Sequence, residues 1–203
     1  MKKLSIDNPF FRFMDKTGDV VIINLLFLAC LVPVITAGAS VSAMYEALNK
    51  MGQDNYISAY RSFKNAFISS IKKSIPVWLL SLITGTVLTF DLMLVTKAQP
   101  GMFWHITGMV AGCLMFLWLL ITCWLFPAGI YKGNSIKDAV KRSLFLAVRN
   151  FPYTMLMLVL DLIPVICLAA SDYYTALAAP VYFVAGFGLT ALINNKIMDR
   201  CAV

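Results

Sequence analysis

The sequence predicts an all-α fold: a polytopic transmembrane helix bundle forming a single integral membrane domain over residues 1–203. Of these residues 60% are hydrophobic and 13% charged, against roughly half and a quarter in soluble domains. The mean hydropathy is +0.79. Uncharged runs of about 18 residues or more recur, which is the length a helix needs to cross hydrocarbon.

The first apolar run covers residues 20–37 and is interrupted by Pro33. It continues through Gly38-Ala39-Ser40 into a weaker, small-residue-rich segment ending at Asn49-Lys50. Further runs cover residues 76–95, 102–130, 152–170 and 173–192. At ~1.5 Å per residue each of these last four can span as a helix. The count is therefore about five spans.

Two connectors carry helical periodicity of their own. Over residues 56–71 the apolar positions are Tyr56, Tyr60, Phe63, Phe67 and Ile71, with Arg61, Lys64, Lys72 and Lys73 largely off that stripe. Over residues 136–148 the stripe is Ile136, Ala139, Val140, Leu144, Ala147 and Val148, flanked by Lys137, Lys141 and Arg142. Both read as basic amphipathic helices that lie in the headgroup plane or against other helices. Both also end alike, in Lys73-Ser74-Ile75-Pro76 and Arg149-Asn150-Phe151-Pro152. Ser and Asn suit a helix start, and proline is tolerated in the first turn. Residues 20–96 and 102–170 are thus candidates for a degenerate repeat, with a last helix at 173–197.

Charge sets the orientation. The net charge is +7, from 17 Lys/Arg against 10 Asp/Glu, and the bases concentrate in the two amphipathic connectors. The positive-inside rule places these connectors, and the C-terminus with Lys196 and Arg200, in the cytoplasm. The N-terminal Lys2, Lys3, Arg12 and Lys16 conflict with five full spans, which would leave residue 1 outside. Five full spans is the preferred reading; the alternative folds residues 20–48 as a broken hairpin turning near residues 33–38, with both ends inside. A signal-peptide reading of residues 20–34 is disfavoured by the long preceding segment with Asp7, Asp15 and Asp19.

The lipid bilayer is the first partner this composition implies. No basic stripe interleaved with stacking aromatics lies outside the apolar runs, so nucleic acid is not expected. The five cysteines are scattered without a C-x-x-C pair, and His105 is the only histidine. Neither a disulfide framework nor a metal centre follows.

The intramembrane polar candidates are Asp161, Asp91 and Asn24. Asp161 lies about 13 Å into its span by helical rise, where a carboxylate is costly and marks a polar pathway or a buried partner. Pro164, three residues on, frees the carbonyl of Leu160. The plainer alternative is an aspartate that knits helices together. Asp91 sits near the outer end of its span, within reach of interfacial water. Asn24 suits an interhelical hydrogen bond. Gly108 and Gly112 form a GxxxG, which permits close helix approach. Trp78, Tyr131 and Tyr153 suit an inner aromatic belt. There is no Walker A loop, and Gly38-Ala39-Ser40 lacks the second glycine of a nucleophile elbow. No cofactor motif is present, and an enzyme is not expected.

The chain resembles the YesL-like family of bacterial membrane proteins. The resemblance is carried by Asn8-Pro9-Phe10-Phe11-Arg12-Phe13-Met14, Gly18-Asp19, Asn24-Leu25-Leu26-Phe27-Leu28, Val32-Pro33-Val34-Ile35-Thr36-Ala37-Gly38-Ala39-Ser40 and Tyr60-Arg61-Ser62-Phe63-Lys64-Asn65-Ala66-Phe67. It implies a multi-pass protein of the bacterial plasma membrane, of unknown molecular activity. The implied setting is carbohydrate uptake or utilisation, with a sugar ABC transporter or a sensor kinase as partner. On that expectation the chain is an accessory component, its bases forming a cytoplasmic docking surface. The alternatives are a stand-alone small-solute transporter with a polar site around Asp161, and a structural membrane protein without ligand.

Overall fold

The computed structural model describes residues 9–51, 58–97, 101–130, 136–170 and 172–201, and among these there is no strand. The helices are α1 (Pro9–Leu31), α2 (Ala37–Lys50), α3 (Ala59–Lys97), α4 (Met102–Trp124), α5 (Ile136–Arg149), α6 (Phe151–Ala170), α7 (Asp172–Val181) and α8 (Phe187–Cys201). A 3-10 turn at Val34–Thr36 joins α1 to α2. A π-helical stretch, Leu125–Ile130, extends α4, and a second, Tyr182–Gly186, links α7 to α8. Among the described residues three helices are long and apolar enough to cross a membrane. They cover Ala59–Lys97, Met102–Pro127 and Ala179–Cys201, and α5 with α6 makes a fourth if that bent pair is one span. The all-α membrane bundle stands, with fewer straight crossings than five.

The first apolar run is where five full spans give way. Only residues 20–31 of α1 are uncharged, about 18 Å of helix, because Asp15, Lys16 and Asp19 lie within the same helix. After Pro33 the chain folds back. Lys16, early in α1, shares a cavity with Leu48, Asn49 and Met51 at the end of α2. Phe27 likewise lines a cavity with Val41, Met44 and Tyr45. Residues 20–48 therefore form a broken hairpin.

Its turn is closed by side chains. Thr36 Oγ1 donates to Cys30 O and Pro33 O, both at 2.8 Å, and Trp78 Nε1 donates to Val34 O at 2.6 Å. Irregular backbone among apolar groups needs such partners. The tip itself is apolar and exposed, with Val32 80%, Val34 60% and Ile35 57% accessible.

The stretch read as a separate amphipathic helix over residues 56–71 is the first part of the 39-residue α3, which continues through Pro76; Tyr56 lies outside the described residues. Its buried row is Ala59, Phe63, Ala66, Ser70, Ser74 and Val77, whereas Tyr60 faces out. The reason lies in α2, which is lined by alanine, glycine and serine and is buried over most of its length. Small residues on both helices let the backbones close up, so Ala59, Ala66, Ser70 and Ser74 join Phe63 of the predicted stripe in the buried row, while Phe67 and Ile71 are half-buried. At Gly38 the approach is tightest: a Cβ there would lie 2.7 Å from Trp78 Cβ and 2.8 Å from a ring carbon of Phe126.

Beyond Trp78, α3 and α4 form an arm packed on itself, with Leu80, Ile83, Val87, Phe90 and Met93 exposed along α3. Of the GxxxG pair only Gly108 meets α3, through Val95; Gly112 has open space. Helix α5 divides its predicted stripe as well: Ala139 and Ala147 are buried, while Val140, Leu144 and Val148 are exposed. Between α5 and α6 the chain bends by 104°.

Candidate functional site

The centre of the bundle is a cavity of about 250 Å³ where α1, α2, α4, α6 and α8 converge. Larger concavities, about 380 Å³ and 270 Å³, lie along the α3–α4 arm. Those two are lined, among the described residues, by carbon and by threonines and serines, with no ionisable group; a further one of about 290 Å³ holds Lys16, Lys196 and Asp199 near the ends of α1 and α8. Volume therefore does not pick out the chemistry; the central cavity stands out because it holds Asp161, a carboxylate within an apolar helix.

Asp161 is delivered by the middle of α6 and is exposed in the cavity wall. Asn194 Nδ2, from α8, donates to Asp161 Oδ1 at 3.0 Å and to Tyr45 Oη, from α2, at 3.0 Å. Asn195 Nδ2 donates to the Tyr45 carbonyl at 3.0 Å. Cys123 Sγ, from α4, lies 3.9 Å from Asp161 Oδ2. Four helices thus meet at one carboxylate. Asn194 is fully buried; its Nδ2 protons fix Asp161 and Tyr45, while its Oδ1 has no partner among the described residues. Among the described residues no Lys, Arg or His lines the cavity.

Asn24, also fully buried, has a different task. Its Nδ2 donates to Tyr182 O at 3.2 Å and Phe183 O at 2.8 Å, and its Oδ1 accepts from Gly188 N at 2.9 Å. A π-helical stretch disturbs the regular i→i−4 ladder, and one carboxamide here satisfies three backbone groups around it. The other π stretch is held from the same hairpin: Ser42 Oγ donates to Phe126 O at 3.0 Å. The Leu125–Ile130 stretch borders the cavity through Phe126 and Pro127, and Phe187, the residue that follows the other stretch, lines it as well.

Asp91 is on the α3–α4 arm and is not brought to Asp161. Arg61, Lys64, Lys72, Lys73, Lys137, Lys141 and Arg142 are all exposed. Tyr45, Cys123 and Asn194 escaped the sequence reading. Tyr45 lies in the weak segment after the Pro33 break, Cys123 reads as a small hydrophobe, and Asn194 falls just beyond the last apolar run. The adjacent amides Asn194-Asn195 at that run's end were the one available signal.

A family model described as a protein of unknown function, DUF624, matches residues 20–92. The match runs from the start of the uncharged part of α1 through the hairpin and into the α3 arm. No curated protein matches the chain, and no solved structure does. The part of the chain similar to this family is thus the part whose Asn24 and Ser42 hold the two π-helical stretches, both of which lie outside the match.

Proposed function

We propose that this chain is a multi-pass protein of the bacterial plasma membrane, of YesL-like type, that acts as an accessory component of carbohydrate uptake or utilisation. The observation that carries the reading is the exposure of Arg61, Lys64, Lys72 and Lys73 on α3 and of Lys137, Lys141 and Arg142 on α5. Beside them the apolar Tyr60 and Ile68, and Phe145 and Val148, remain uncovered. Such faces suit anionic lipid headgroups and the acidic surface of a cytoplasmic partner, here a sugar ABC transporter or a sensor kinase. Chemical crosslinking in the native host followed by purification should recover a permease, an ATPase or a sensor protein. Recovery of the chain with lipid alone would count against an accessory role.

The same reading places both ends of the chain in the cytoplasm. Lys16 shares a cavity with Lys196 and Asp199, and the hairpin inserts its apolar tip into the membrane without crossing. A thiol engineered at residue 2 should then resist an impermeant maleimide in intact cells and react after lysis.

A second reading, a stand-alone small-solute transporter, is favoured by the central cavity around Asp161. It requires solute flux in proteoliposomes that Asp161→Ala abolishes.

A further inference from the structure

We infer that the central cavity is a binding site for a small organic ammonium ion. It concerns the cavity of the second reading above but does not depend on transport, since binding and flux are measured separately.

The ligand class follows from what lines the cavity. One carboxylate, Asp161, supplies a negative charge, and among the described residues no base lines the cavity to neutralise it. An anionic ligand would meet that carboxylate unshielded, so anions are disfavoured. A carbohydrate needs several free donors and acceptors. The hydroxyl protons of Thr122 and Thr190 are instead spent on carbonyls of their own helices, at 2.7–3.1 Å, and the Nδ2 protons of Asn194 on Asp161 and Tyr45, so few donors are left for sugar hydroxyls. An alkali ion must exchange its hydration shell for a ring of oxygens, and this wall is mostly carbon.

What remains besides the carboxylate is aromatic. Phe27, Tyr45, Phe126 and Phe187 all line the same space, with the Phe27 and Phe187 centroids 5.6 Å apart. Aromatic rings around one carboxylate attract a cation whose charge is spread over alkyl groups, because such an ion sheds water cheaply and gains from the ring quadrupoles. The volume of about 250 Å³ lies below the usual range for drug-sized ligands and suits an ion of a few non-hydrogen atoms. Asn194 fits this reading as a positioning residue: buried beside the cavity, it holds the Asp161 carboxylate in place.

The probe is tetramethylammonium chloride, added to the full chain in lipid nanodiscs. Titration calorimetry should show saturable binding that Asp161→Asn weakens by at least about tenfold. Phe187→Leu, which keeps the charge and removes one ring, should weaken it about threefold. In a variant retaining Cys123 as its sole cysteine, tetramethylammonium should slow alkylation by N-ethylmaleimide, whereas sodium chloride at equal concentration should not. That comparison keeps Asp161 in place, so it decides the matter even if Asp161→Asn does not fold. Absence of saturable binding, equal affinity in folded Asp161→Asn, or equal protection by sodium chloride would each overturn the assignment.

Discussion

Residues 73–76 and 149–152 share one local pattern, a base, a cap-type residue, an apolar residue and a proline. At the first, α3 continues as one helix; at the second, α5 and α6 meet at a bend of 104°. The difference lies two residues past each proline. Thr154 sits in the corner, where its Oγ1 donates to Ala147 O at 3.2 Å and Asn150 O at 3.0 Å and accepts Trp124 Nε1 at 2.9 Å. One hydroxyl thus satisfies carbonyls at the bend and ties it to α4. The equivalent residue in α3 is Trp78, which has no means of capping its own backbone. It reaches outward instead, over Gly38 and against Phe126 at a centroid distance of 5.5 Å, to bond the hairpin tip at Val34. Similar junctions acquire opposite shapes because their neighbours offer different partners.

The contrast can be broken most severely at the corner. Thr154→Val keeps the shape but orphans the buried Trp124 N–H and removes both backbone contacts, a loss of about 2–3 kcal/mol. Unfolding in a mild detergent would measure it, and spin labels on α5 and α6 should report a broadened angle. An unchanged angle and midpoint would mean that packing alone sets the bend.

Proline should matter in opposite degree at the two sites. Pro76 is inside a helix, where it forfeits a hydrogen bond, so Pro76→Ala should stabilise the chain by about 1–2 kcal/mol. Pro152 is in the first turn of α6, where no such bond is lost, and Pro152→Ala should shift stability by less than about 0.5 kcal/mol. Equal shifts in thermal midpoint would contradict the contrast.

The smallest change is expected from Trp78→Phe. It retains the ring against Phe126 and loses only the bond to Val34 O, costing about 1 kcal/mol. Its effect should be local, seen as faster exchange of the amide protons of residues 34–36 while those of α5 stay protected.

Much of this architecture was legible in the residues. Apolar length gave the long helices, because the thickness of hydrocarbon fixes how many residues a span needs. The clash between the N-terminal bases and an odd number of spans pointed to residues 33–38, where the hairpin turns. The buried face of α3 was not legible. Periodicity favours the bulkiest stripe, of which Phe63 is buried; only the small residues of α2, once packed against it, bring Ala59, Ala66, Ser70 and Ser74 in beside it and leave Tyr60 out.

The site divides in the same way. Asp161 announced itself because a carboxylate in an apolar run is costly and needs a reason. Its partners did not, since Tyr45 and Asn194 are 149 residues apart and Cys123 lies 38 residues from Asp161. Helix, membrane and charge asymmetry follow from composition and period, which are local properties of the chain. Which carboxamide fixes the carboxylate, and which side chains hold the two π-helical stretches, depends on the distances created when α1 and α2 fold back between the other helices. Only the tertiary structure decides that.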